Sequence, residues 1–178
     1  MSLPRMFTAF GRVFWGLLLT LLDVNLGQLD ILPDVVGYAL IATGCSGLAQ
    51  MSRHFALAAG VSWLLVALAL AALVVEDAGF ALFWMITDGA LMWLVLTGVM
   101  DLATARARPD LAGRAAGHRL AYVVLVSAAV LTGLITGELG DVGTVLTVVW
   151  VACLLPLLFV ILRLILTARD ELVAASTA

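Results

Sequence analysis

DVNLGQLDILPDVVGYALIATGCSG, from Asp23 to Gly47, sets three carboxylates and a proline between two strongly apolar segments. It reads as the tip of a helical hairpin. On either side, long apolar runs of about the length a membrane span needs, roughly 20 residues, fill almost the whole chain of 178 residues. The composition agrees. Hydrophobic residues make up 64% of the sequence and the mean hydropathy is +1.18, far above the roughly 45–50% apolar usage of soluble domains. A water-soluble fold has no interior large enough for this surface, so the expected fold is an all-α integral membrane protein built as a six-transmembrane-helix bundle, a single membrane domain over residues 1–178.

In chain order the expected spans cover about 7–26, 33–51, 55–75, 78–100, 120–137 and 142–162, with a basic loop over 101–119 and a short charged tail at Arg169, Asp170 and Glu171. The N-terminal MSLPRMFTAFGRVFWGLLLTLL has the basic start and apolar run of a signal peptide but no small-residue cleavage site before Asp23, and reads as a retained first helix. Arg12, about 8 Å into it at 1.5 Å per residue, is within snorkelling reach of the interface. Pro33 suits a first helical turn, where its missing N–H would have no partner, and Asp34 then sits at the positive end of the helix dipole.

Charge orients the bundle, because cytoplasmic loops carry the excess of Lys and Arg. With the N-terminus inside, all nine basic residues, Arg5, Arg12, Arg53, Arg106, Arg108, Arg114, Arg119, Arg163 and Arg169, fall at cytoplasmic ends. The outer side carries Asp23, Asp30, Asp34, Glu76, Asp77, Glu138 and Asp141, seven of the twelve acids. Both termini are therefore expected in the cytoplasm. Residues Asp23, Asp30, Ile31, Leu32, Pro33, Asp34, Gly37 and Tyr38 match the pattern Asp, then D-I-L-P-D-x-x-G-Y. Over its first two helices the chain thereby resembles a family of small bacterial multi-pass membrane proteins of uncharacterised activity. That resemblance implies a cell (inner) membrane location and no particular chemistry. The absence of lysine and the richness in Ala, Val, Leu and Arg also suit a bacterial chain of high GC content.

Two groups of polar residues stand out as candidate functional positions. A turn would gather Asp23, Asn25, Gln28, Asp30 and Asp34 into an acidic mouth at the outer boundary, oxygen ligands suited to a hard cation or an incoming amine. The competing reading is that Asp30 and Asp34 cap the second helix. Asp88, in ITDGALMW, lies about ten residues into an apolar span, where an ionisable group faces the bundle interior or water. It has no natural basic partner, since Arg163 is about 15 Å away in depth at 1.5 Å per residue. One expectation is an aspartic acid protonated at rest that exchanges a proton or binds a cationic group; the other is a packing residue hydrogen-bonded to Asn25, Thr20 or Tyr122.

Structural roles fall to Pro33, to Gly37, Gly44 and Gly47, which allow close backbone approach of the second helix, and to Pro156, which frees the Ala152 carbonyl in the sixth. Phosphate-loop, HExxH and GxSxG patterns are missing, and Cys45, Cys153, His54 and His118 have no metal-ligand spacing, so no catalytic residue, cofactor or metal is expected. The implied partners are the lipid bilayer and a membrane-protein partner or second copy, with no nucleic acid. Three functions remain: a transporter or substrate-binding subunit with an outward acidic mouth, a non-catalytic partner or regulatory subunit, and a membrane enzyme acting on lipid.

Overall fold

A computed structural model of the chain describes residues 3–21, 31–72, 74, 78–136 and 141–174. Among these are six α-helices: α1 (Leu3–Leu21), α2 (Ile31–Leu48), α3 (Arg53–Ala71), α4 (Ala78–Ala105), α5 (Pro109–Thr136) and α6 (Asp141–Ala174). Each helix packs on its neighbours in sequence, and α6 returns to α1, so the six close into a ring that α4 and α6 also bridge across its middle. Four of them are long and apolar enough to cross a membrane, over Arg53–Ala71, Leu82–Ala105, Pro109–Thr132 and Val148–Leu172; α2 supplies a shorter apolar helix over Asp34–Leu48. Their outward faces carry Trp63, Phe83, Val124, Leu131 and Phe159, all exposed. Such a surface suits hydrocarbon and not water.

The expected cytoplasmic loop over 101–119 is instead almost wholly helical, with only residues 106–108 between α4 and α5. Local chemistry explains the correction. The segment is rich in Ala, Leu and Arg, good helix formers, and Pro109 opens α5 at a position where its missing N–H is harmless. The reversal is a Schellman turn: the Arg108 N–H bonds the Ala103 carbonyl at 2.9 Å, the Ala107 N–H bonds the Thr104 carbonyl at 3.1 Å, and Ala107 adopts the left-handed φ of 54°. Glycine normally holds that place. Likewise the charged tail is the last part of α6, whose single run passes through Pro156. α1 begins at Leu3, ahead of the expected Phe7, with Thr8 donating back to the Pro4 carbonyl at 2.8 Å.

Small residues set the closest contact, between α1 and α2. A Cβ on Gly16 would lie 2.6 Å from the Gly37 carbonyl, and one on Gly44 would lie 2.7 Å from the Ala9 carbonyl, so the two backbones touch at Gly37 and Gly44; a Cβ on Gly47 would lie 3.0 Å from the Ala9 Cβ. Pro33 falls in the first turn of α2 with Asp34. Cys45 is buried and Cys153 exposed, both as free thiols.

Contacts between helix ends fix which ends lie together. The Arg106 guanidinium donates to the Leu172 carbonyl and reaches the Met6 sulfur at 3.6 Å, Arg169 lies 4.3 Å over the Phe7 ring, and His54 meets Asp101. The starts of α1, α3 and α5 and the ends of α2, α4 and α6 therefore share one end, and the arginines lie at or toward it. The buried core concentrates there too: among the described residues, buried positions on α5 stop at Tyr122 and those on α6 start at Ile161. Beyond that level the interior opens.

Candidate functional site

Where the close-packed core ends, a cavity of about 260 Å³ opens between α1, α2, α4, α5 and α6. Asp88 lines it. Its position is the one the sequence singles out, ten residues into α4 or about 15 Å along the axis, and its neighbours are Thr20, Tyr38, Met92, Tyr122 and a wall of α6 aliphatics that includes Leu154 and Leu158. The Tyr38 hydroxyl donates to Asp88 Oδ1 at 3.0 Å, and the Tyr122 hydroxyl donates to Oδ2 at 3.3 Å. The chain has two tyrosines, and both converge on this one carboxylate.

The helices place these groups by simple register. Tyr38 stands one turn past Asp34 on α2, braced edge-to-face by Trp84 at 6.1 Å between ring centres, and Trp84 lies four residues before Asp88 and so over the same face of α4. Trp84 is braced in turn by Phe80 at 6.2 Å. Tyr122 comes from the opposite side, on α5. A half-buried carboxylate in a mostly aliphatic cavity depends on the polar groups the protein provides, and here these include two phenolic donors, one per oxygen. Each oxygen retains further acceptor capacity. Among the described residues no cation pairs with Asp88. The site can accept a proton or a cationic group.

Tyr122 is one of the partners anticipated for Asp88; Thr20 lines the cavity but donates to the Leu17 carbonyl at 3.1 Å. Tyr38 was not anticipated as a partner, although it stands in the DILPDVVGY motif. The signal available was that two tyrosines and one mid-span carboxylate are all such groups the apolar segments hold. Of the proposed acidic mouth, Asp23, Asn25, Gln28 and Asp30 lie outside the described residues, and Asp34 sits in the first turn of α2.

A second carboxylate cluster lies at the arginine-bearing end. Asp101 Oδ2 accepts from the Ser52 hydroxyl at 2.6 Å and lies 2.6 Å from His54 Nδ1, while the Ser52 oxygen caps α3 by accepting the His54 backbone N–H at 3.1 Å. Serine, histidine and aspartate are all present, but not in a nucleophile's order. A hydrolytic triad uses one imidazole nitrogen for the serine and the other for the carboxylate; here the same Nδ1 faces both, with the serine at 3.5 Å. The cluster is a clamp between the start of α3 and the end of α4.

Comparison of the chain with protein-family models, with curated proteins and with solved structures finds no significant match to any of the three.

Proposed function

We propose that this chain is a small transport protein, or the substrate-binding subunit of a transport system, in a bacterial inner membrane, with all six helices crossing and both termini in the cytoplasm, and that it takes a small organic cation at Asp88. The observation that carries this reading is the convergence of Tyr38 and Tyr122 on a carboxylate that lines a central cavity. A purely structural aspartate has no need of open volume beside it. The cavity is smaller than the roughly 300–1,000 Å³ of sites for drug-sized ligands, which favours a compact amine or quaternary ammonium. Because a proton and a cation compete for the same carboxylate lone pairs, the expected cycle exchanges one for the other at Asp88. The six-span topology is supported by the arginines gathering at one end, and the DILPDVVGY resemblance favours the same location.

The test is reconstitution of the full chain in liposomes, with uptake of radiolabelled tetraethylammonium and loss of lumenal protons, read as alkalinisation by a trapped pH dye, followed together. Wild type is expected to couple the two fluxes, and Asp88→Asn to abolish both while remaining folded. Full flux through Asp88→Asn sinks the proposal.

A non-catalytic partner subunit is the second reading, favoured by an open apolar groove of about 510 Å³ on the outer face of α4 and α5, floored by Gly89 and Ala90 and flanked by Trp93 and Val126. Purification in mild detergent followed by native mass determination tests it: a lone chain or homo-oligomer removes this role, and where a stoichiometric membrane partner is found, tetraethylammonium binding that is lost in Asp88→Asn identifies a substrate-binding subunit and its absence a non-catalytic one.

A further inference from the structure

The close contact of α1 and α2 leaves an open groove of about 520 Å³ on the outer surface at the arginine-bearing end, lined by Arg5, Thr8 and Arg12 from α1 and by Thr43, Ser46 and Gln50 from α2 and the turn after it. Arg5 and Arg12 are seven residues apart, two turns or about 10 Å along one face, with Thr8 between them. Both are exposed. No carboxylate lines the groove, and among the described residues neither arginine forms an ion pair.

Several other arginines at this end are occupied. Arg108 pairs with Asp110 and Glu171, Arg106 holds the Leu172 carbonyl, and Arg119 bonds the Thr97 hydroxyl at 3.0 Å and stacks 4.2 Å over Trp93. Arg12 is different in depth as well as in pairing, because it starts nine residues into α1, about 13 Å from the helix start, on a face turned outward from the bundle. A guanidinium there is costly against hydrocarbon unless it snorkels to the interface, where the anion a leaflet offers is lipid phosphate. The three hydroxyls already donate to their own helices, Thr8 to Pro4, Thr43 to Leu40 and Ser46 to Ala42, so outward they present lone pairs. Donors for a phosphate and acceptors for a headgroup hydroxyl thus lie side by side.

We propose that this groove binds the headgroup of an anionic, hydroxyl-bearing phospholipid in the leaflet at that end, the phosphate held between Arg5 and Arg12. The proposal rests on the bundle lying in a membrane and not on the ligand assigned to Asp88. Its test is native mass determination of the full chain in mild detergent with equimolar phosphatidylglycerol and phosphatidylcholine. Wild type is expected to retain phosphatidylglycerol preferentially, the Arg5→Gln/Arg12→Gln double variant to retain it roughly 30-fold less, and Asp88→Asn and Arg114→Gln, which lie outside the groove, to match wild type. Gln50→Glu, which sets a carboxylate beside the two guanidiniums in the turn after α2, is expected to lose retention too and serves if the double variant does not fold. Equal retention of the two lipids by wild type, undiminished retention by both groove variants, an equal loss in Arg114→Gln, or displacement of the lipid by inorganic phosphate at matched concentration would each overturn it.

Discussion

Asp88 and Asp101 stand on the same helix, about 20 Å apart along its axis, and each accepts or faces two side-chain donors from other elements, yet they do different work. Asp101 meets Ser52 and His54, two residues of one helix start, and sits at an accessible end where its side chain is 37% exposed. Asp88 meets one tyrosine from α2 and one from α5, helices that do not adjoin in the ring, and it borders open volume in the interior. Local capping and helix-end chemistry account fully for the first cluster. They do not account for the second, since three separate helices must agree on one point to make it. That difference separates a clamp from the proposed binding site.

The largest expected effect tests the difference directly. Asp88→Asn should weaken binding of tetraethylammonium, read by calorimetry in detergent, by about 3 kcal/mol or roughly a hundredfold, whereas Asp101→Asn should leave it unchanged; equal losses would erase the distinction. Next, Tyr38→Phe and Tyr122→Phe each remove one donor from the Asp88 carboxylate, a hydrogen bond to a charged group worth about 1.5 kcal/mol or more, so each should lower affinity about tenfold. In an Asp88→Asn background the same changes should add little, because the three groups act together. Additive losses would mean the hydroxyls serve some other contact.

At the clamp the expected currency is stability alone. Asp101→Asn or His54→Ala should lower the unfolding free energy by about 1 kcal/mol, read as a fall in the thermal midpoint in detergent with cation affinity unmoved. The smallest effect is expected where α4 turns into α5. Ala107 holds a left-handed φ of 54° that costs an L-residue with a Cβ about 1 kcal/mol, so Ala107→Gly should raise the midpoint slightly, by somewhat less than that cost because glycine gains freedom in the unfolded chain. A fall would show that the turn is relaxed as it stands.

Much of the architecture is legible in the residues themselves. Apolar runs of span length give the helices, Pro33 gives the start of α2, and the small residues Gly37 and Gly44 give the close approach of α1. The loop over 101–119 is misread because an Arg-rich stretch in a membrane chain looks like a connection, although Ala, Leu and Arg are equally the residues that extend a helix past the lipid. Depth along α4 is also legible, since counting from Ala78 locates Asp88 without any tertiary information.

What the sequence by itself determines is therefore one-dimensional: which apolar segments are helical, how deep each polar group lies within them, and that the positive charge gathers at one end, all of which follow from hydropathy and rise per residue. Only the tertiary structure decides rotation about each helix axis and which helices face each other. In a soluble helix an apolar stripe would reveal its inward face, but α2, α3 and α4 are apolar nearly all round, because lipid and core make the same demand on a side chain. Packing of small against large residues and a few polar bonds must settle the rotation instead. For that reason Tyr38 and Tyr122 meeting on Asp88, Ser52 and His54 meeting on Asp101, and the Arg5–Arg12 groove beside Ser46 emerge only when all six helices are assembled.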